Sequence, residues 1–559
     1  MISEGFMEKL YRGKFDETLF AGYREPADDE GTVDRLITRY RELLEAFPPD
    51  SVEQAGRLPD ELLHQMGAAG LFGATVPKAY GGLGLDLFQC ERIIEELSPL
   101  DLSTALVFLA HLLIGIKGID LYGTEEQKQK YLTASASGSM IFAFALTEPG
   151  TGSDARHIET TARLSDDGKY YILNGTKTYI TNAGYAGGMT LFAQMDPERP
   201  GFMGAFIVET AWEGVKIGKD MPKMGLKASS TASVQLRDVR VPIENLLGRP
   251  GEGFQMAMTI LHYGRMGLGA ASKGITEHCA TDMLRRARSR KQFGREIIAF
   301  PLIQEKIGRA RALAFTMEAM NYFATALLED DPDHGAVIET SHCKLFGTTR
   351  TWETAYETLQ LFGGSGYIAT QPYEKRMRDF RVTTIFEGTT EIHSIYPPLV
   401  ALNRIGKELK DRGRGIRRLL YLAANLSPFG TSMKIPLVAD DDTVRRAFRF
   451  VRRTSRTMQK LLFTGIIRHG KAIAEQEFLL RRICTLSLYT FAIASILAKF
   501  NYMGRDNIRG EWVDYLAYIL DEATEAARLN RSLDDSRQEA LMLRIVEGTE
   551  EEQDTVPSD

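Results

Sequence analysis

The hydrophobic period of this chain changes twice, and the order of the changes excludes most α/β architectures. Residues 33–135 read mainly as helix. In LPDELLHQMGAAGLFG, Leu58, Leu62, Leu63 and Met66 follow helical spacing and Gly70 is a stop. From about Met140 the pattern becomes that of strands. KYYILNGTKTYITN sets Asn174-Gly175 between β-rich runs, which predicts a hairpin there. MTLFAQM, GAFIVET and SVQLRDVRVP carry the pattern to Pro242. Helical spacing returns at Phe254 and runs with few breaks to Phe362. Strands and helices do not alternate, so a doubly wound sheet is disfavoured. There is no GxGxxG after a strand and no GxxxxGK[ST], so any nucleotide cofactor would bind outside those two schemes. The expected fold is α+β: an N-terminal extension (1–32), a helical domain (33–139), a β domain (140–250), a helical bundle (251–405), a further helical extension (406–546) and an acidic tail (547–559), which is expected to be disordered.

Composition narrows the function classes. The 559 residues carry 44% hydrophobic and 25% charged side chains, values of an ordinary soluble globular protein. A net charge of −6 gives no basic excess for nucleic acid. Cys90, Cys279, Cys343 and Cys484 have no CxxC spacing, and the nine histidines form no HExxH, so no metal site is expected. The N-terminus has no apolar h-region and contains Glu4, Glu8, Asp16 and Glu17, unlike a secretory or transit signal. The best candidate for a membrane span, Ile483 to Ala498, lies between Arg482 and Lys499 and is shorter than the ~18–20 residues of a spanning helix. It reads as a buried core helix. Leu106 to Ile116 is apolar around His111, which reads as a satisfied core or pocket-wall histidine. The chain reads as a bacterial cytoplasmic protein or a mature organellar form.

Charge is distributed unevenly. Arg404 to Lys471 holds 17 Lys and Arg against 5 Asp and Glu, a local +12 that leaves −18 for the rest. Within Val444–Leu462, at 100° per residue, Arg445, Arg446, Arg449, Arg452, Arg453, Arg456 and Lys460 fall in one arc of roughly 120°. Val444, Ala447, Phe448, Val451, Met458, Leu461 and Leu462 fall opposite. A helix of this kind can lie in an anionic lipid interface with its apolar face down, at the inner membrane of a bacterium, or it can pack that face on the protein.

Four segments carry the chemistry: FAFALTEPGTGSDA (142–155), YITNAG (179–184), RKQFGREIIAFPLIQ (290–304) and QLFGGSGY with FEGTTEI (360–392). Gly150 and Gly152 permit a tight loop and close approach of backbone to a ligand. Arg290 offers a fork for a phosphate. Glu387 follows apolar Ile385-Phe386 and precedes Gly388. A carboxylate in such surroundings is desolvated and becomes a stronger base.

In combination these segments resemble the acyl-CoA dehydrogenases, flavoproteins of α–β–α architecture, over roughly residues 33–405. The N-terminal stretch and the region after 405, RHGKAIAEQEFLLRR above all, are more similar to the very-long-chain branch. The resemblance implies FAD as cofactor. Phe144, Leu146 and Thr147 then border the flavin ring, Ser153 meets the FAD diphosphate and substrate, and Tyr179 and Thr181 lie against the isoalloxazine. Many members have Trp at the place of Tyr179, which keeps a flat face and adds a hydroxyl. Arg290, Gln292 and Phe293, with Gln360 and Gly364, would reach the FAD of a neighbouring subunit, which implies a homodimer or larger homo-oligomer. Thr389 and Glu391 would touch its adenosine end.

The resemblance makes Glu387 the base that takes the α-proton of an acyl-CoA while the β-hydrogen leaves as hydride to flavin N5. Gly388 lets substrate pass close, and Arg265 positions it. Other branches carry the base where this chain has Gly264, which cannot serve. A ribityl hydroxyl and the Glu387 N–H would stabilise the thioester oxygen. Apolar Leu106, Val107 and Ala110 favour a long fatty acyl chain, Ala105 and Leu109 lie where that branch has small residues, and Leu109 argues against a fully open tunnel. Where many members continue after the catalytic loop with an Arg-containing helix, this chain has Ser394 and Pro397-Pro398, which are expected to interrupt the helix. Electron-transfer flavoprotein is the implied acceptor. An acyl-CoA oxidase, or an assembly protein retaining the fold, are the competing readings.

Overall fold

The computed structural model describes residues 4–15, 20–28, 30–332, 335–413, 416–426 and 441–553. It divides into two compact units: Arg24–Ala336 with Cys343–Thr390, and Met1–Tyr23 with Val337–His342 and Glu391–Asp559.

In the first unit, short helices lead into the sheet. Their starts are fixed by side chains. Asp86 and Gln89 close a capping box on the helix Leu87–Leu97, Asp101 accepts from the Thr104 N–H at the start of Leu102–Ala110, and Thr124 and Gln127 cap Glu125–Ala136. The sheet contains β1 (Ile141–Ala145), β2 (Thr161–Leu164), β3 (Tyr170–Thr181), β4 (Ala186–Gln194), β5 (Met203–Glu209), β6 (Val215–Ile217), β7 (Thr231–Pro242) and β8 (Leu246–Gly251). They run in the order β6-β7-β3-β2-β4-β5-β8, with β1 pairing β4 in parallel. Leu173, Met189, Leu191, Phe206, Val234, Val239 and Val241 form its buried core.

The expected hairpin at Asn174-Gly175 is not there. Both residues lie inside β3, where the register with β7 shifts between Leu173 and Gly175. A side chain at 175 would collide with Thr160, so the glycine serves a bulge and a close approach. The turn into β3 is made earlier, at Asp167-Gly168, with Gly168 at φ +69° and the Ser165 N–H donating to the Tyr170 carbonyl.

Three long helices follow: Gly253–Ser289, Pro301–Asp330 and Val337–Phe362. A Cβ at Gly274 would overlap the Glu95 carbonyl, so Gly253–Ser289 and Leu87–Leu97 meet backbone to backbone at this point. The apolar segment around His111 is helical at Leu102–Ala110, π-helical at His111–Gly115, and helical again at Lys117–Tyr122. His111 is buried. Its Nε2 contacts the Phe72 carbonyl at 3.2 Å, and its Nδ1 accepts from the Phe142 N–H at 2.9 Å. Burial lowers its pKa to about 4, so it is a neutral ring tying helix to sheet.

The second unit centres on Asp442–His469. Its apolar face is occupied: Val444, Ala447, Phe448, Val451, Met458, Leu461 and Leu462 are all buried. Ser455 donates to the Leu10 carbonyl at 2.6 Å, Thr490 to Thr454 Oγ1 at 2.7 Å, and Phe20 meets Phe448 at 5.3 Å between ring centroids. An apolar-face-down membrane contact through 444–462 is therefore corrected, because that face already has its partners. Among the described residues, two stretches are long and apolar enough to cross a membrane, Leu102–Tyr122 and Glu477–Met503, but their apolar windows are 100% and 89% buried in the fold. The second is 27 residues long, so its burial argues for a core helix where the sequence reading relied on shortness.

Pro397 and Pro398 do not interrupt their helix, which runs Thr390–Asp411 through both. Pro397 cannot donate to the His393 carbonyl, but the Cys484 thiol does so instead at 3.3 Å. The acidic segment from Glu547 is not disordered throughout: the helix Arg537–Gln553 extends across it to residue 553. Residues 554–559 lie outside the described residues.

Candidate active site

Glu387 sits between the turn Val382–Thr384 and the helix that starts at Thr390. Its backbone is left-handed, φ +57°, and Gly388 follows at +97°. That conformation is unfavourable for a residue with a Cβ and is held by its surroundings. The side chain points at the helix Gly253–Ser289. A Cβ built on Gly264 would lie 3.0 Å from Glu387 Oε2 and 2.8 Å from Ile114 Cγ2. The glycine at 264 thus provides the room the carboxylate fills. The residue keeps some accessible surface, yet Oε2 itself is buried. The apolar wall is Ile114 rather than the sequence neighbour Ile385, which is 51% exposed.

Burial is the largest influence on this carboxylate and raises its pKa to about 7. The Arg265 and Lys344 charges oppose it. Arg265 is buried beside His262, 3.4 Å from its Nδ1. Lys344, on Val337–Phe362, is fully buried and donates to the Gly388 carbonyl at 2.5 Å. Glu387, Gly388, Gly264 and Arg265 are therefore brought together as the sequence implied, with Lys344 added.

A second group gathers where β1 and β3 end. The loop after β1 is held by a buried ion pair, Lys177 Nζ to Glu148 Oε1 at 2.7 Å, and Lys177 also donates to the Leu146 carbonyl at 3.1 Å. Burial lowers Lys177 to about 8, so it stays charged at neutral pH. Burial would raise Glu148, but Lys177 and the Glu159 and Thr160 N–H groups hold it below the usual carboxylate range. The Thr178 N–H donates to the Thr147 carbonyl at 2.9 Å. There β3 bulges between Lys177 and Ile180, and Tyr179 turns outward at φ +56°, 68% exposed. Thr181 pairs with Thr231, and half-buried Phe144 meets Phe192 at 5.0 Å between centroids. Asn182 Nδ2 donates to the Val107 carbonyl at 3.1 Å, joining this group to the helix Leu102–Ala110. Ser153 is exposed. Pro149-Gly150 make a tight turn closed by reciprocal backbone hydrogen bonds between Glu148 and Thr151 at 3.0 and 3.1 Å, and side chains built at Gly150 and Gly152 would meet nothing closer than 3.7 and 4.0 Å, so the loop is tightly turned and still open to a ligand.

The third group faces solvent. Strands β9 (Lys291–Gln292) and β10 (Arg295–Glu296) form a small hairpin with Phe293 at its tip, φ +51° and 93% exposed. Arg290 and Gln292 are exposed, as are Gln360 and Gly364. Leu361 packs with Ile297, Ile307 and Ala310, so the hairpin and the Gly363-Gly364 corner share one small core. Thr389 is half-buried and Glu391 exposed.

These surfaces fit a flavin nucleotide. Tyr179 presents a flat, uncovered aromatic face beside the Thr147 loop, and the glycine loop offers open backbone. Sequence reasoning missed Lys344, Lys177 and Glu148. The only hint was a lysine inside an apolar helix, HCKLFG, and another inside a strand.

Family models described as the N-terminal, middle and C-terminal domains of acyl-CoA dehydrogenase match residues 36–139, 143–239 and 251–395. The chain is 34% identical over 530 residues to the mitochondrial very long-chain specific acyl-CoA dehydrogenase of Homo sapiens, covering 89% of this chain and 79% of that one. Its fold is similar to an acyl-CoA dehydrogenase complexed with FAD from Bacillus anthracis, with TM-score 0.81, 29% identity, and coverage of 97% and 94%. A butyryl-CoA dehydrogenase from Megasphaera elsdenii gives TM-score 0.64 at 30% identity and is covered completely, but spans only 68% of this chain. The α–β–α order, the glutamate facing Gly264 and these matches converge: the chain belongs to the acyl-CoA dehydrogenase family, FAD-dependent oxidoreductases acting on acyl-CoA.

Proposed function

We propose that this protein dehydrogenates long-chain fatty acyl-CoA to the trans-2-enoyl-CoA, with Glu387 as the base that takes the α-proton. The observation that supports this reading is a carboxylate enclosed by Ile114 and Gly264 and faced by Arg265 and Lys344. Bound FAD supplies the two-electron acceptor for the β-hydrogen. The chain's own part is to receive and hold a proton at the Glu387 carboxylate. Desolvation strengthens that base, and the two nearby cations keep enough of it ionised near neutral pH. The Glu387 N–H is a donor for the thioester oxygen as charge collects there. Gly388, with no side chain, leaves space for substrate beside the backbone.

Long-chain preference is supported by the buried apolar Ala105, Leu106, Val107 and Ala110, and by the named relatives of the very-long-chain type. Leu109 packs toward Gly267, 3.0 Å from a Cβ built there, which limits the width of any channel on that side. Electron-transfer flavoprotein as acceptor agrees with the dehydrogenase relatives. The exposed Phe293 hairpin supports a homodimer in which it meets a second copy. The test is anaerobic addition of an acyl-CoA length series to the purified yellow protein. Long-chain thioesters should bleach the flavin faster than butyryl-CoA, and the reduced protein should reoxidise with electron-transfer flavoprotein faster than with oxygen. Fastest bleaching by butyryl-CoA would reject the chain-length reading.

A further inference from the structure

The catalytic loop is held in a conformation that Glu387 does not favour, and one side chain outside the loop grips it. Lys344 lies about two helical turns into Val337–Phe362. It is fully buried, an unusual place for an ammonium, and its Nζ donates to the carbonyl of Gly388 at 2.5 Å. The carbonyl it grips belongs to the second of two successive left-handed residues, Glu387 at φ +57° and Gly388 at +97°, in the peptide that leads on to Thr389. Rotation of that turn toward an ordinary backbone would swing the carbonyl away from Nζ and carry the Glu387 side chain with it. Thr348 Oγ1 donates to the Lys344 carbonyl at 2.8 Å, which keeps the supporting helix turn closed around the lysine.

Building on the assignment of Glu387 as the base, we infer that Lys344 is a positioning residue: through the Gly388 carbonyl it fixes the left-handed Glu387-Gly388 turn that aims the carboxylate into the space left by Gly264. The groups facing that carboxylate are Arg265 from Gly253–Ser289, with His262 behind it, Lys344 from Val337–Phe362, and apolar Ile114 from the π-helical segment. Lys344 therefore does two separable things. Its hydrogen bond holds the turn, and its charge favours the ionised carboxylate, as Arg265 also does from the other side.

Two variants of the holoenzyme separate these effects. Lys344→Met removes both the donor and the charge. Lys344→Gln removes the charge and keeps an N–H donor, on a side chain one bond shorter. With Lys344→Met, kcat should fall about 10²-fold even at high pH, the scale of loss when reacting groups are misplaced by about 1 Å, with little change in KM. With Lys344→Gln, which restores a donor, kcat at high pH should lie well above that of Lys344→Met. In both, the acid limb of kcat/KM should move to higher pH, because a cation that favours ionised Glu387 is gone. Should Lys344→Met fail to fold, Lys344→Leu takes its place, and the kcat at high pH, which reads the turn, decides rather than the limb shift, which reads only the charge. Parental kcat and an unmoved limb in both variants, while Glu387→Gln is inactive, would overturn the inference about Lys344. Sustained flavin reduction in Glu387→Gln would instead overturn the base assignment on which it rests.

Discussion

Two corners of the same compact unit carry residues of the implied site, and they are built in opposite ways. The Glu387 corner is enclosed. Its carboxylate fills the space a side chain at 264 would occupy, Ile114 closes one wall, and Arg265 and Lys344 reach it from separate helices. The hairpin corner at 290–296 is open. Arg290, Gln292, Gln360 and Gly364 face solvent, and Phe293 is held outward at 93% exposure with a left-handed backbone. Both corners therefore hold a non-glycine residue in an unfavourable conformation. In the first, the constraint orients a group within its own chain. In the second, it presents an aromatic side chain that its own fold leaves uncovered. In the proposed homodimer the open corner is where a second copy would meet the cofactor, whereas the enclosed corner is lined by its own chain.

The sharpest way to break this contrast is at the enclosed corner. Glu387→Gln should keep flavin and bind acyl-CoA but lose turnover by several orders of magnitude. A positioned general base alone is worth roughly 10²–10⁴-fold, and Gly264 leaves no substitute at the alternative position. Turnover near the parental rate would show that the enclosure serves something else.

A smaller effect is expected at the open corner, and of a different kind. Arg290→Ala should leave the Glu387 pocket intact and weaken flavin retention by about 10–100-fold, the range for one charge-assisted contact to phosphate. Flavin content and oligomer mass, measured on the same sample, check it. Full flavin occupancy in a monomeric protein would mean that the open corner is not completed by a second copy.

The two corners were not equally legible in the sequence. Glu387 stood out because FEGTTEI resembles the family's catalytic loop and Gly264 occupies the family's alternative position, although the apolar wall proves to be Ile114 and not the neighbouring Ile385. What grips it was not readable. Lys344 is 44 residues from Gly388, and Lys177 is 29 from Glu148, so each pairing exists only once the helices and strands have packed. The same limit explains three misreadings. Asn174-Gly175 has the composition of a hairpin turn, but Thr160 presses against Gly175 and the pair becomes a bulge in a continuous strand. Pro397 should end a helix, but Cys484, 91 residues from His393, supplies the donor that the proline lacks. The periodicity of 444–462 correctly separates a basic from an apolar face, but periodicity does not say what covers the apolar one. Phe20 and the helix Glu477–Met503 do. The α–β–α order, in contrast, follows from hydrophobic period alone and agrees with the family matches along 36–395.

The central claim is that Glu387 is a desolvated base poised near neutrality, and the pH dependence of flavin reduction by acyl-CoA tests it most directly. The base must be ionised to act. Burial raises its pKa from the usual carboxylate range to about 7, so the reduction rate should climb with pH through about 7 and level off above it. In the Lys344→Gln protein the same rise should appear at higher pH. A rate that is flat from pH 5.5 upward, as an ordinary exposed glutamate with a pKa of about 4.3 would give, would contradict the account.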